Sequence, residues 1–157
     1  MKTIDVKAQG QRKLVTDMGT LEYPKWYSQM AVITVGESVY RIFPTGFWKF
    51  RYELIKDGNV ILTVKNTWNG YQITKHNDLE RPLTMTPNGF FKSGYTLKNH
   101  KQEIILKVDS DFSWKKFQQD YRVTCDDAFG SDEFDNVLVL LSVYFYIQAL
   151  TAAAGAA

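Results

Sequence analysis

Six cations, Lys49, Arg51, Lys65, Lys92, Lys98 and Lys107, alternate with apolar residues along short segments of the chain. In "FWKFRYELI" Trp48, Phe50, Tyr52 and Leu54 share one face, while Lys49, Arg51 and Glu53 share the other. This is the period of a half-buried strand, on which successive side chains point to opposite sides. Same-face neighbours on a strand lie about 7 Å apart, so Lys49 and Arg51 can flank one phosphate. A neighbouring strand would add Lys65 or Lys107. Lys49, Arg51, Lys65 and Lys107 are the candidate ligand-binding residues for an anionic group, beside the plainer reading of a solvated strand face that discourages edge pairing.

Other reactive residue types carry less. Asp126, Asp127, Asp132, Glu133 and Asp135 lie close together in "CDDAFGSDEFD" and are of a type that binds calcium. Their spacing does not match an EF-hand loop, and carboxylates before a helix already stabilise the positive end of its dipole. No metal is assigned to them. Asp109 and Asp111 read as a turn. His76 and His100 fall in polar, turn-like stretches, whereas Cys125 shares an inward face with Tyr121 and Val123. A cysteine–histidine pair would need one of those histidines to reach a buried thiol. No nucleophile elbow, phosphate loop or zinc spacing is present. No catalytic residue and no cofactor is expected, and the chain reads as non-enzymatic.

Charge is unevenly spread. The net charge of +2 does not call for a nucleic-acid partner. Residues 1–125 hold all 19 basic residues against 12 acids; residues 126–157 hold five acids and no base. A single cysteine excludes an internal disulfide and fits a reducing, cytoplasmic compartment. The opening "MKTIDVKAQGQRK" has no apolar run of the secretory type.

The elements that must position these residues are mostly strands. "VILTVK" places Val60, Leu62 and Val64 on one face after the turn dipeptide Asp57-Gly58. "GFFKSGYTLKNHKQEIILKV" turns Phe91, Tyr95 and Leu97 inward, bends around Asn99-His100, then turns Ile104, Leu106 and Val108 inward. Ten to twelve short strands fit between Thr3 and Cys125, with one helical turn allowed around Phe112–Gln118. No composition break divides residues 1–157, so one antiparallel barrel or sandwich domain is expected.

The end of the chain breaks the pattern. "VLVLLSVYFYIQALTAAAGAA" has no charge, and Ser142, Gln148 and Thr151 do not share a helix face. Ser131 or Asp132 can cap a helix over about residues 132–153, with Gly155 as a stop. A helix apolar on every side must be surrounded, by lipid or by protein. No Lys or Arg flanks it, as basic anchors of a membrane span would. A barrel that encloses a helix about 10–12 Å across needs more than eight strands, and ten to twelve meet that need.

An acidic lead-in, "CDDAFGSDEFD", before the apolar helix "NVLVLLSVYFYIQAL" resembles the tubby C-terminal-like superfamily. That superfamily includes tubby domains, the LURP-one-related proteins and the phospholipid scramblases. The hairpins "FRYELIKDGNVILTV" and "FFKSGYTLKNHKQEIILKV" are similar to the LURP-one-related pattern. The resemblance covers most of the chain. It implies a closed antiparallel β-barrel of about ten to twelve strands around a buried apolar C-terminal α-helix. It also implies a non-catalytic binding or adaptor domain, because tubby domains bind phosphoinositide headgroups through basic residues. The expected partner is an anionic phospholipid or phosphorylated headgroup, or a protein, with the chain a monomer, cytoplasmic or peripheral to a membrane. Two alternatives stand beside it. Gly46-x-Trp48 in "TGFWKF" is the short motif of lipocalin-like ligand carriers, and the apolar tail suits a C-terminally anchored β protein.

Overall fold

A computed structural model describes residues 1–25, 28–46, 51–89, 93–113 and 118–156. Twelve strands run in chain order: β1 (Lys2–Ala8), β2 (Lys13–Val15), β3 (Gly19–Glu22), β4 (Ala31–Val35), β5 (Ser38–Thr45) and β6 (Arg51–Lys56), then β7 (Asn59–Thr67), β8 (Gly70–Lys75), β9 (Asp78–Pro87), β10 (Tyr95–Lys98), β11 (Ile104–Ser113) and β12 (Gln118–Cys125). Each pairs antiparallel with its neighbours in sequence, and β1 pairs with β12, so the meander closes into a barrel. One helix, α1 (Glu133–Ala156), follows.

Alternation places the apolar set inside. Tyr52 and Leu54 of β6, Leu62 and Val64 of β7, Leu106 and Val108 of β11, and Tyr121, Val123 and Cys125 of β12 are all buried. The Asp57-Gly58 turn has positive φ at both residues, 52° and 79°, the geometry that lets two strands join through two residues. Asn99 Oδ1 accepts from Lys101 N and Glu103 N and so folds the turn between β10 and β11.

The helix fills the barrel. Val137 to Tyr146 are buried without interruption, on every side of the helix. Phe145 packs its ring 5.0 Å from that of Tyr52 and 4.6 Å from that of Tyr71; Tyr146 lies 5.8 Å from Tyr95 and 5.9 Å from Tyr121. Two polar groups of the buried run are satisfied: Ser142 Oγ donates to Leu138 O at 2.7 Å within the helix, and Tyr144 OH donates to Gln29 O, in the loop before β4, at 2.7 Å. By length and composition Glu133–Ala152 could cross a membrane. Here strands surround its central ten residues and leave lipid no access to them. The same helix occupies the space that a lipocalin-like carrier would keep for a ligand.

Several local expectations need correction. Ile104 is 56% exposed, because the register of β10 with β11 shifts at Leu97/Lys98 and turns the first residue of β11 outward. Val60 is only half-buried, beside the irregularity at Leu54/Ile55. Phe112, Ser113 and Gln118 are strand residues, and the rest of the supposed helical turn lies outside the described residues. Gly155 does not stop the helix, which continues to Ala156. Trp48, Phe50 and Phe91 lie outside the described residues.

Candidate functional site

Arg51 opens β6 and Lys65 lies near the end of β7, and the register sets them directly opposite each other. Tyr52 and Val64 take the inward positions, so both cations stand on the outer wall, exposed. The cross-strand row continues from Lys65 to Gln72 of β8, Thr84 of β9 and Lys98 of β10. Neither Arg51 nor Lys65 has an ion-pair partner among the described residues. Like charges directly opposite on a sheet destabilise it, and no ion pair among the described residues offsets that cost. An open depression of about 550 Å³ adjoins them, lined also by Asn66 and Thr67.

Of the four expected ligand residues, the fold brings Arg51 and Lys65 together. Lys107 is exposed but stands on β11, four strands along from β7. At about 4.8 Å per strand that is roughly 19 Å around the wall, too far to share one anion. Lys49 and Lys92 lie outside the described residues. Trp68 is the residue that strand alternation missed. Thr67 pairs with Gly70, which leaves Trp68 and Asn69 as a two-residue tip, and Trp68 is 98% exposed. The signal was present as Asn69-Gly70, a turn dipeptide between two apolar runs.

The acidic lead-in is held by short-range bonds instead of converging. Asp132 Oδ1 accepts from Asp135 N at 2.8 Å and is the helix N-cap. Asp126 Oδ1 accepts from Ala128 N, and Asp135 accepts from Gly130 N at 3.1 Å. Glu133 reaches the barrel rim, accepting from Ser38 Oγ at 2.7 Å, from the Tyr40 hydroxyl and from Lys56 Nζ at 3.4 Å. These bonds, the Tyr40 one foremost, hold the Glu133 carboxyl below the ordinary range. Burial and Glu133 push the Tyr40 hydroxyl up, and Glu133 raises Lys56, so neither is primed to act as a base. Among the described residues no group of three or more acids, histidines or cysteines gathers to hold a metal ion.

His76 bonds Thr63 Oγ1 through Nε2 at 2.9 Å on the surface. The Cys125 thiol is buried, and burial pushes its pKa up, the reverse of an activated nucleophile. Cys125 registers with Lys2 and Leu106.

No family model, curated protein or solved structure matches this chain.

Proposed function

We propose that this chain is a non-catalytic, tubby-like binding domain that docks on an anionic lipid surface through Arg51, Lys65 and Trp68. The observation that carries the reading is the Arg51–Lys65 couple, without an ion-pair partner among the described residues, and a fully exposed tryptophan three residues beyond Lys65. A phosphate between the two cations would offset their mutual repulsion. Tryptophan partitions to the headgroup level of a bilayer, so Trp68 would seat beside the bound headgroup. A closed barrel around an enclosed apolar helix is also what the resemblance to tubby C-terminal-like domains implies. A cytoplasmic setting agrees with the single reduced thiol, Cys125.

The test is co-sedimentation with vesicles of phosphatidylserine in phosphatidylcholine, against phosphatidylcholine alone. Wild type is expected on the anionic vesicles only, and less so as salt rises, since screening acts over about 8–10 Å at physiological ionic strength. Each cation near such a surface contributes about 1 kcal/mol, so Arg51→Glu/Lys65→Glu should bind at least about 30-fold more weakly. Trp68→Ala should lower affinity without altering the salt slope. Equal binding of wild type and the double variant would remove the reading.

A further inference from the structure

Along β1 the pairing of the barrel wall is incomplete on one side. β1 spans Lys2–Ala8, but its register with β2 covers only Lys7↔Val15 and Ala8↔Leu14. On its other side β12 accompanies β1 from Lys2 to Val6. The cause is a tight turn after β2. Thr16 N donates to Gly19 O at 2.9 Å, and Thr16 Oγ1 accepts from Met18 N and Gly19 N. The chain swings into β3, where Gly19 pairs with Val35 of β4. Only glycine fits there, because a Cβ would stand 2.3 Å from Thr34 O. Asp17 and Gly19, which a continued register would set opposite Asp5 and Thr3, are thereby carried away from β1.

The orientation of the β1 backbone follows from its far end. Gln9 N donates to Lys13 O at 2.8 Å, toward β2, whereas Ala8 N donates to Asp120 Oδ1 on β12 at 2.8 Å. Backbone groups alternate along a strand. The N–H and C=O of Thr3 and Asp5 therefore face the side where no strand among the described residues stands opposite. A slot of about 740 Å³ runs along this edge, lined among others by Lys2, Ile4, Asp5, Thr16, Asp17 and Met18.

A second overhang in the same barrel is guarded. β10 accompanies β9 only over Thr84–Pro87, so Asp78–Leu83 have no strand on that side among the described residues. That edge carries Glu80, Arg81 and Pro82, and charge and proline are the usual means of blocking edge pairing. The overhang of β1 has no proline; its charges are Lys2 and Asp5, and Asp5 is paired with Arg122 of β12 at 3.6 Å.

We propose that the free edge of β1 is a strand-addition site for an extended peptide segment of a partner protein. The segment lies in the slot, exchanges backbone hydrogen bonds with Thr3 and Asp5, and seats an apolar side chain between Ile4 and Met18. Asp5 is paired with Arg122 and Lys7 with Asp120, which leaves Lys2 and Asp17 as opposite charges along the slot, so the fitting partner is uncharged and alternates polar with apolar residues.

Amide hydrogen exchange on the full chain tests this, with a capped hexapeptide of alternating threonine and valine as the probe. In the protein alone the amides of Thr3 and Asp5 should exchange fast while those of Ile4 and Val6 exchange slowly. The hexapeptide should slow Thr3 and Asp5, and the same peptide N-methylated at every second residue should not. Asp5→Pro removes an N–H that faces the slot and leaves the β12 ladder intact; it should weaken hexapeptide binding about tenfold. Slow Asp5 exchange in the protein alone, protection that grows with protein concentration (a second copy on the edge), or failure of the hexapeptide to protect Thr3 and Asp5 would each overturn the proposal. Those readings need only the wild-type chain and stand even if the proline variant fails to fold.

Discussion

An aspartate at position 141 would have no solvent and no partner for its charge. Leu141 is fully buried in the run Val137–Tyr146, and Phe145, one turn on, is enclosed by Tyr52 and Tyr71. Leu141→Ala is expected to cost about 2–5 kcal/mol through lost contacts and the cavity left behind. Leu141→Asp should exceed that and abolish folding, because total stability is about 5–15 kcal/mol. Thermal or denaturant unfolding of the two variants checks the order; a normal melting temperature for Leu141→Asp would mean that the helix faces solvent. At this scale much was legible. Tyr52, Leu54, Leu62, Val64, Leu97, Leu106, Val108, Tyr121 and Val123 follow period-two alternation and are buried as it predicts. Ile104 was not legible, because a one-residue register shift depends on how two strands meet and not on either strand alone. Half of the candidate site was legible for the same reason. Arg51 and Lys65 flank one hairpin, so the Asp57-Gly58 turn brings them together. Lys107 is remote because strand order around the wall sets its distance, and alternation contains no such information.

The helix is fastened at its start as well as packed along its length. Glu133 joins it to β5 through Ser38 and Tyr40 and to β6 through Lys56, contacts 77 to 95 residues apart in sequence. No local pattern announces them, and a carboxylate in the first turn had a sufficient explanation in the helix dipole. The Glu133 carboxyl has its pKa lowered in the folded protein. It therefore contributes stability that is present above the ordinary carboxylate range and is lost as pH falls through the lower, folded value. Glu133→Gln should melt below wild type at neutral pH, by a modest margin because the group is largely exposed to solvent. The margin should shrink on acidification and close once wild-type Glu133 is itself protonated. Melting curves of both proteins from neutral to strongly acidic pH measure this, and a margin that does not change with pH would assign the loss to something other than charge.

At the scale of the whole molecule, barrel and helix are two halves of one core. Deleting Val137–Ala157 removes the contents of the barrel and leaves Tyr52, Tyr71, Leu54 and Leu62 facing a void that water would enter. The truncated chain is expected to be insoluble or to bind hydrophobic dyes without a cooperative transition. A soluble truncation that unfolds cooperatively would show that the strands can fill the interior alone. The enclosed helix also bears on how the protein is made. On the ribosome the twelve strands emerge first, at about 5–20 residues per second, and the segment that fills them emerges after all of them. Closure itself joins β1 to β12, across more than a hundred residues of chain. Until Val137–Tyr146 arrive, the inner faces of the nascent sheet have nothing to rest on. Such a chain spends its synthesis with apolar strands uncovered, so its yield in a cell should depend on chaperones that hold unfinished chains far more than on the stability of the finished barrel.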